Sequence, residues 1–309
     1  MAGNLFGHSV MYRTTSSATA VQARSSSEAP SWRASWKAAL DLHFSSAGER
    51  TVLVRKRHTG PLSVQKALYP EGAGICHAVI LHPPGGVAAG DDLQIDVSLG
   101  QQAAAVLSTP GATKWYKAGP SCPGTQQVRI TMQRGARLDW LPQENIYFDR
   151  SYVRQTFTLQ LARDASAMGW DISQLGRRDS GETWRDAGLH MHLRLLDATG
   201  CPIWEERQAL HSGDAILMAA QGLAGLPVYG TLWAAGVHCN AEAAQRIGER
   251  LPFGDALRAG ATALPGGLLL VRAVADEPET IRNLFIQLWL QLRQHVHGVP
   301  GQPLRLWST

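Results

Sequence analysis

The chain is short of charge. Charged residues make up 17% of its 309 residues, against a usual value of about 25%. Lysine is scarce, since nearly all of the 29 basic residues are arginine. The basic residues are scattered, with no Lys/Arg block that would track a phosphate backbone, so the net charge of +4 does not imply nucleic acid. No apolar run approaches the roughly 18 residues of a membrane span. Cys76, Cys122, Cys201 and Cys239 form no CxxC pair, which argues against a zinc knuckle or a thioredoxin-type motif and fits a reducing cytoplasm. HExxH, GxSxG and CxxC…CxxC are also missing, so no complete catalytic constellation is written in the chain.

What is there is a globular composition, 44% hydrophobic, able to build a core. Residues 1–31 are rich in Ser, Thr and Ala with one acid, Glu28, and are expected to be a disordered tail. Residues 32–309 are expected to form a single domain. From Trp36 onward, short runs at period two alternate with Gly, Pro or Asp. Strands are predicted over residues 51–58, 76–82, 93–99, 103–108, 127–132, 137–141, 153–161, 189–196, 203–210, 228–235 and 268–274. Two helices are predicted late in the chain. One is capped by Asn240 and stopped by Pro252. The other is capped by Asp276 and ended by Gly298, with Ile281, Leu284, Phe285, Leu288, Leu292 and Val296 on one face. This order excludes a doubly wound sheet and a (β/α)₈ barrel. The fold is mainly β, with sandwich, barrel and stacked solenoid all compatible with the pattern.

Several segments bear chemistry. The loop from Leu81 to Leu93 is shaped by Pro83, Pro84, Gly85, Gly86 and Gly90, and its Asp91 can bond neighbouring backbone instead of a ligand. Glu144 and Asp149 flank a short strand, and Glu182 follows a basic pair. Such carboxylates can act as acid and base in a carbohydrate-active enzyme, or offer hard oxygen ligands to a passing cation. His190 and His192 share one face of a predicted strand and can clamp a borderline ion, although solvated histidines on a polar face are more common. His295 and His297 point apart on a helix end and suit its C-terminus better than a chelate.

Taken in order, the motifs Gly60-Pro61-Leu62, Tyr69-Pro70-Glu71-Gly72, Leu81-His82-Pro83-Pro84-Gly85-Gly86, Gly90-Asp91 and Thr109-Pro110-Gly111-Ala112-Thr113-Lys114 resemble the UreD (UreH) family of urease accessory proteins. Trp140-Leu141-Pro142-Gln143-Glu144, Phe148-Asp149, Leu175-Gly176-Arg177, Gly181-Glu182 and the terminal Leu306-Trp307-Ser308-Thr309 continue the match. Departures include the long N-terminal segment, Ala88-Ala89 before Gly90, and Arg178. The resemblance implies a mainly β, stacked β-helical (β-solenoid-like) architecture of many short strands with two α-helices in the C-terminal part. It also implies a non-enzymatic, cytoplasmic scaffold that docks on apo-urease and recruits the GTPase UreG through UreF, with no nucleic acid, membrane or permanently bound cofactor. Ni²⁺ would pass through it in transit. A protected path suits this cargo if weakly binding oxygen ligands line it, because selectivity among divalent ions cannot come from raw affinity. On this expectation Glu71, His77, His82, Asp91, Glu144, Asp149 and Glu182 line or gate the passage, and the C-terminal helix and Trp307 tail offer partner surface.

Overall fold

The computed structural model describes residues 35–308; the expectation for residues 1–31 lies outside them. The strands are β1 (Lys37–Ala47), β2 (Arg50–Thr59), β3 (Ser63–Val64), β4 (Cys76–Leu81), β5 (Gly86–Val87), β6 (Asp92–Leu99), β7 (Ala104–Ser108), β8 (Thr113–Trp115) and β9 (Gly124–Met132). They continue as β10 (Arg137–Leu141), β11 (Asn145–Tyr147), β12 (Tyr152–Leu161), β13 (Ser166–Leu175), β14 (Gly188–Leu196), β15 (Pro202–His211), β16 (Val228–Ala235), β17 (Leu257–Leu264) and β18 (Leu268–Ala275). The helices are α1 (Ala241–Gly248), between β16 and β17, and α2 (Pro278–His297), after β18.

From β4 the chain coils. β4, β5 and β6 make one turn, β7, β8 and β9 the next, β10, β11 and β12 a third, and β13 with β14 a fourth. Each strand lies parallel to its counterpart in the turn before. This is a β-solenoid-like stack with two broad faces and one narrow face. The first broad sheet runs β15, β14, β12, β9, β6, β1, β2, and the second β17, β18, β16, β13, β10, β7, β4, β3. Cys76 lies beside Ala105, Ala104 beside Arg137, and Arg137 beside Ser166. A turn therefore takes about 30 residues, within the range of repeat folds. Its length changes by a few residues between turns, so the sequence shows no fixed period.

Both faces of the second sheet are buried. Toward the first sheet it packs Trp140, Ala167 and Trp233 against residues such as Leu42, Ile95 and Leu159. Away from it, Met168, Trp170, Leu269 and Val271 meet Ile281, Phe285 and Trp289 of α2. The apolar stripe of α2 is thus spent inside the protein, at roughly 1.5–3 kcal/mol per large side chain buried. Trp307 joins the same layer, with its ring 5.7 Å from that of Trp170 and 5.4 Å from that of Trp289. Gly169 lets β13 approach β16, because a Cβ there would stand 2.4 Å from the Trp233 ring.

The end of α1 and the start of α2 differ in detail from the sequence expectation. Asn240 caps α1 by accepting the Ala243 N–H at 2.9 Å, but the helix stops at Gly248, before Pro252. The residue before α2 is Glu277 instead of Asp276. Pro278 occupies the first turn and forces the residue ahead of it into extended backbone, φ −130° and ψ 143°. His297 is buried against the second sheet, while His295 Nε2 donates to the His238 carbonyl at 2.8 Å.

Candidate functional site

The interior between the two broad sheets is not filled by hydrocarbon alone. On β13, Gly169, Asp171 and Ser173 alternate toward the first sheet, while Met168, Trp170 and Ile172 face α2. The inward positions meet a polar row. Asn145 Nδ2 donates to Asp171 Oδ2 at 3.0 Å, and Ser173 Oγ donates to Oδ1 at 3.0 Å. Trp115 Nε1 donates to Asn145 Oδ1 at 2.9 Å, Tyr147 OH to Gln155 Oε1 at 2.5 Å, and Gln155 Nε2 to Gln126 Oε1 at 3.3 Å. Further along, Gln208 Nε2 donates to the Tyr229 hydroxyl at 3.1 Å.

Three cavities follow this row. The first, about 150 Å³, lies beside His82 and Gly85. It shares Ile80, Ile95, Thr109, Thr113 and Gln126 with a second, of about 80 Å³, that reaches Asn145, Gln155 and Asp171. Asp171, Met191 and Leu193 are shared in turn with a third, about 390 Å³, bounded by Glu206, Tyr229 and Arg272. Each exceeds the roughly 10–15 Å³ that one ordered water requires. Their walls are largely apolar, with these polar groups set along them, and a cation there would meet carbonyl, hydroxyl and carboxylate oxygens.

Asp171 is the one carboxylate in the middle cavity wall. What surface it has faces the cavities, and protein on all sides withdraws it from bulk water. Burial therefore pushes its carboxyl up from 3.8 to about 6, with the Ser173 hydroxyl pulling weakly the other way. No sequence motif drew attention to it. The available signal was an acid at an inward-alternating position between Trp170 and Ile172.

The residues expected to line a passage fall into separate groups. Of them, His82 alone lines one of the three interior cavities, the first; burial lowers its affinity for a proton, against the pull of Asp91. Asp91 accepts the backbone N–H of Trp36 at 2.9 Å and of Ala88 at 2.8 Å, which fixes the Pro-Gly loop. Glu144 receives Arg282 of α2 at 2.9 Å. Asp149 accepts from the Arg185 and Asp186 N–H groups at 2.8 and 3.1 Å, and its own N–H donates to Glu182 Oε1 at 2.9 Å. Burial alone would raise the Asp149 carboxyl, but these donors hold it below its ordinary value.

Glu71 and His77 lie on the far side of the second sheet, and line a cavity of about 320 Å³ beside residues 302–306. His77 Nε2 is 2.7 Å from Glu71 Oε1, and the other Glu71 oxygen takes a short contact from Arg293 of α2. Arg293 Nε also donates to Asp139 Oδ2 at 3.0 Å, and Trp289 Nε1 to Asp139 Oδ1 at 2.7 Å. His297 Nε2 stands 3.2 Å from the same Asp139 oxygen, off the hydrogen-bond line, while its Nδ1 meets Ser166 Oγ at 2.7 Å. Burial works against ionisation of both acids, but His77 and Arg293 hold Glu71 low, and His297 and Arg293 hold Asp139 at about 2. This buried ionic layer rivets α2 and the β3–β4 loop to the sheet.

Among the described residues, no three or more His, Cys, Asp or Glu side chains converge to hold a metal ion, and no helix is long and apolar enough to cross a membrane. The sequence profile of the UreD urease accessory protein matches residues 37–308. The chain is 52% identical over 282 residues to the urease accessory protein UreD of Ralstonia nicotianae, covering 89% of this chain and 95% of that one. It is 49% identical over 280 residues to the UreD of Cupriavidus necator (89% and 96% covered) and 43% identical over 280 residues to that of Pseudomonas aeruginosa (90% and 97%). With a profile match across nearly all the described residues and relatives this similar, the chain belongs to the UreD urease accessory protein family.

Proposed function

We propose that the chain is a non-catalytic urease maturation scaffold that binds apo-urease and, together with UreF and the GTPase UreG, delivers Ni²⁺ through its own interior. The observation that carries this reading is the row of cavities between the two broad sheets, whose largely apolar walls carry polar groups along the row, with Asp171 in the middle cavity and Glu206, paired with Arg272, in the third. A conduit must attract a divalent cation without retaining it. Neutral amide and hydroxyl oxygens exchange quickly, and a single carboxylate without a cationic partner lowers the electrostatic cost of leaving bulk water without closing a cage. His82 stands at one mouth. Asp91, Asp149 and Glu182 set the loops around the path, and Glu71, His77 and Glu144 bind α2 and the β3–β4 loop to its wall. Ni²⁺ is cargo here and never a resident cofactor.

The test is co-purification of Asp171→Asn and Gln155→Leu variants with UreF and apo-urease, followed by urease activation. Retained assembly with activation lowered several-fold supports a conduit. Full activation by both variants refutes the interior route, and lost assembly assigns these residues to folding or docking instead.

A further inference from the structure

The outward face of the β14–β15 hairpin carries three histidines and two carboxylates. His192 is occupied: its Nε2 is 2.7 Å from Glu205 Oε1, which also takes Arg207 Nη2 at 2.9 Å. The expected His190–His192 clamp is therefore not formed. His190 instead faces His211 across the strand pair, with ring centroids 5.5 Å apart and planes at 82°. His190 sits opposite Ala209 and His211 opposite Gly188, so the two rings are diagonal neighbours on one face, a separation that long side chains bridge. Both are exposed, and the His190 ring makes no hydrogen bond to the described residues. The Asp214 carboxylate lies 3.8 Å from His211 Nδ1 and accepts the His211 backbone N–H. Met191 and Leu193, on the opposite face of β14, line the interior cavities, and His192 borders the middle one, whereas His190 and His211 are exposed on the solvent side.

We propose that His190 and His211 together bind one borderline divalent cation, Ni²⁺ or Zn²⁺, at the surface, with water completing its coordination. Imidazole nitrogen is the side-chain ligand that such ions favour. A carboxylate beside the remote ring nitrogen of one ligand is the usual outer partner of a metal-bound histidine, and Asp214 has that place at His211. The rigid antiparallel pair holds both rings at chelating range. Rotation about the broad terminal torsion of an exposed imidazole turns their nitrogens to a common point. Two ligands, with no third converging side chain, make a site that binds and releases, unlike a closed structural site. This site does not depend on an interior route.

The experiment is calorimetric titration of NiSO₄ into the full chain, wild type and variants, with Cu²⁺ electron paramagnetic resonance as a second readout. The proposal expects His190→Ala and His211→Ala each to weaken one binding event by more than about tenfold, because the second ring acts at a high effective concentration. The Cu²⁺ spectrum should show coupling to two imidazole nitrogens that either substitution reduces to one. His192→Ala and Asp171→Asn should leave this event unchanged. Unaltered Ni²⁺ affinity in the double variant His190→Ala/His211→Ala overturns the proposal. An equal loss in His192→Ala, or loss only in Asp171→Asn, also overturns it, the latter placing the ion between the sheets. Because both rings are exposed, an unchanged thermal midpoint verifies that the variants are folded.

Discussion

Replacing Asp171 by Asn should make the protein more stable at neutral pH while making it a worse urease accessory. The Asp171 carboxyl loses its proton near 3.8 when unfolded but only near 6 when folded. The folded state therefore holds the extra proton between those values, and stability falls as pH rises through that window. Above it the ionised, desolvated carboxylate costs the fold about 3 kcal/mol. An Asn side chain keeps the local bonds: its oxygen accepts from Asn145 Nδ2, and its amide donates to Ser173 Oγ. No charge is left to desolvate, so the variant should gain up to about 3 kcal/mol at neutral pH, with the gain fading to nothing below about pH 4. Denaturant unfolding at several pH values measures this directly. A variant destabilised by the same amount at pH 5 and pH 7.5 would refute the reasoning, since it would mean that the carboxylate is well solvated or serves as a structural acceptor. A buried acid that lowers stability is what a trade of stability for activity produces.

The buried ionic layer makes opposite predictions. Arg293→Met should destabilise the fold by about 3–5 kcal/mol, because Glu71 and Asp139 would remain buried without their shared cation; equilibrium unfolding checks it, and a loss below about 1 kcal/mol contradicts it. With Asp139 held at about 2 against an ordinary 3.8, the ionised acid contributes about 2 kcal/mol above pH 4, lost as pH falls through 2. Asp139→Asn should therefore flatten the acid limb of the stability profile, and an unchanged acid limb would argue otherwise. Gly169→Ala should cost on the order of 1–3 kcal/mol by overpacking against Trp233, read as a lower thermal midpoint; an unshifted midpoint would mean that β13 and β16 separate freely.

The sequence announced most strands whose two faces differ in polarity, although β1, where Ala38, Leu40, Leu42 and Phe44 alternate with Asp41 and His43, was missed. β14 alternates Leu189, Met191, Leu193 and Leu195 with polar residues, and its period-two signal is plain. β13 escapes the same test because both of its faces are covered, one by the first sheet and one by α2, so polarity does not alternate along it. β17 is Ala- and Gly-rich and carries little strand propensity of its own. β5, β8 and β11 are two or three residues long and exist only because a turn of the coil brings them beside one another. The motifs around Glu144, Asp149 and Glu182 stand out in the sequence because their loops are tightly specified by backbone bonds and ion pairs. Asp171 stays silent there: the meaning of one acid on a strand depends on which face it takes and what lies across the interior, and three separate turns of the coil set that. The pairing of His190 with His211 was hidden for the same reason, since a cross-strand neighbour is fixed by hairpin register.

The account turns on whether nickel travels between the two broad sheets. Anomalous scattering at the nickel edge, from crystals of the protein soaked in Ni²⁺, places the ion without reference to activity. The predicted result is a partly occupied nickel peak within coordination distance of Asp171 and the Asn145 side chain, lost in Asp171→Asn. Nickel found only on the outer surface, with the space between the sheets empty at every soak concentration, would contradict it.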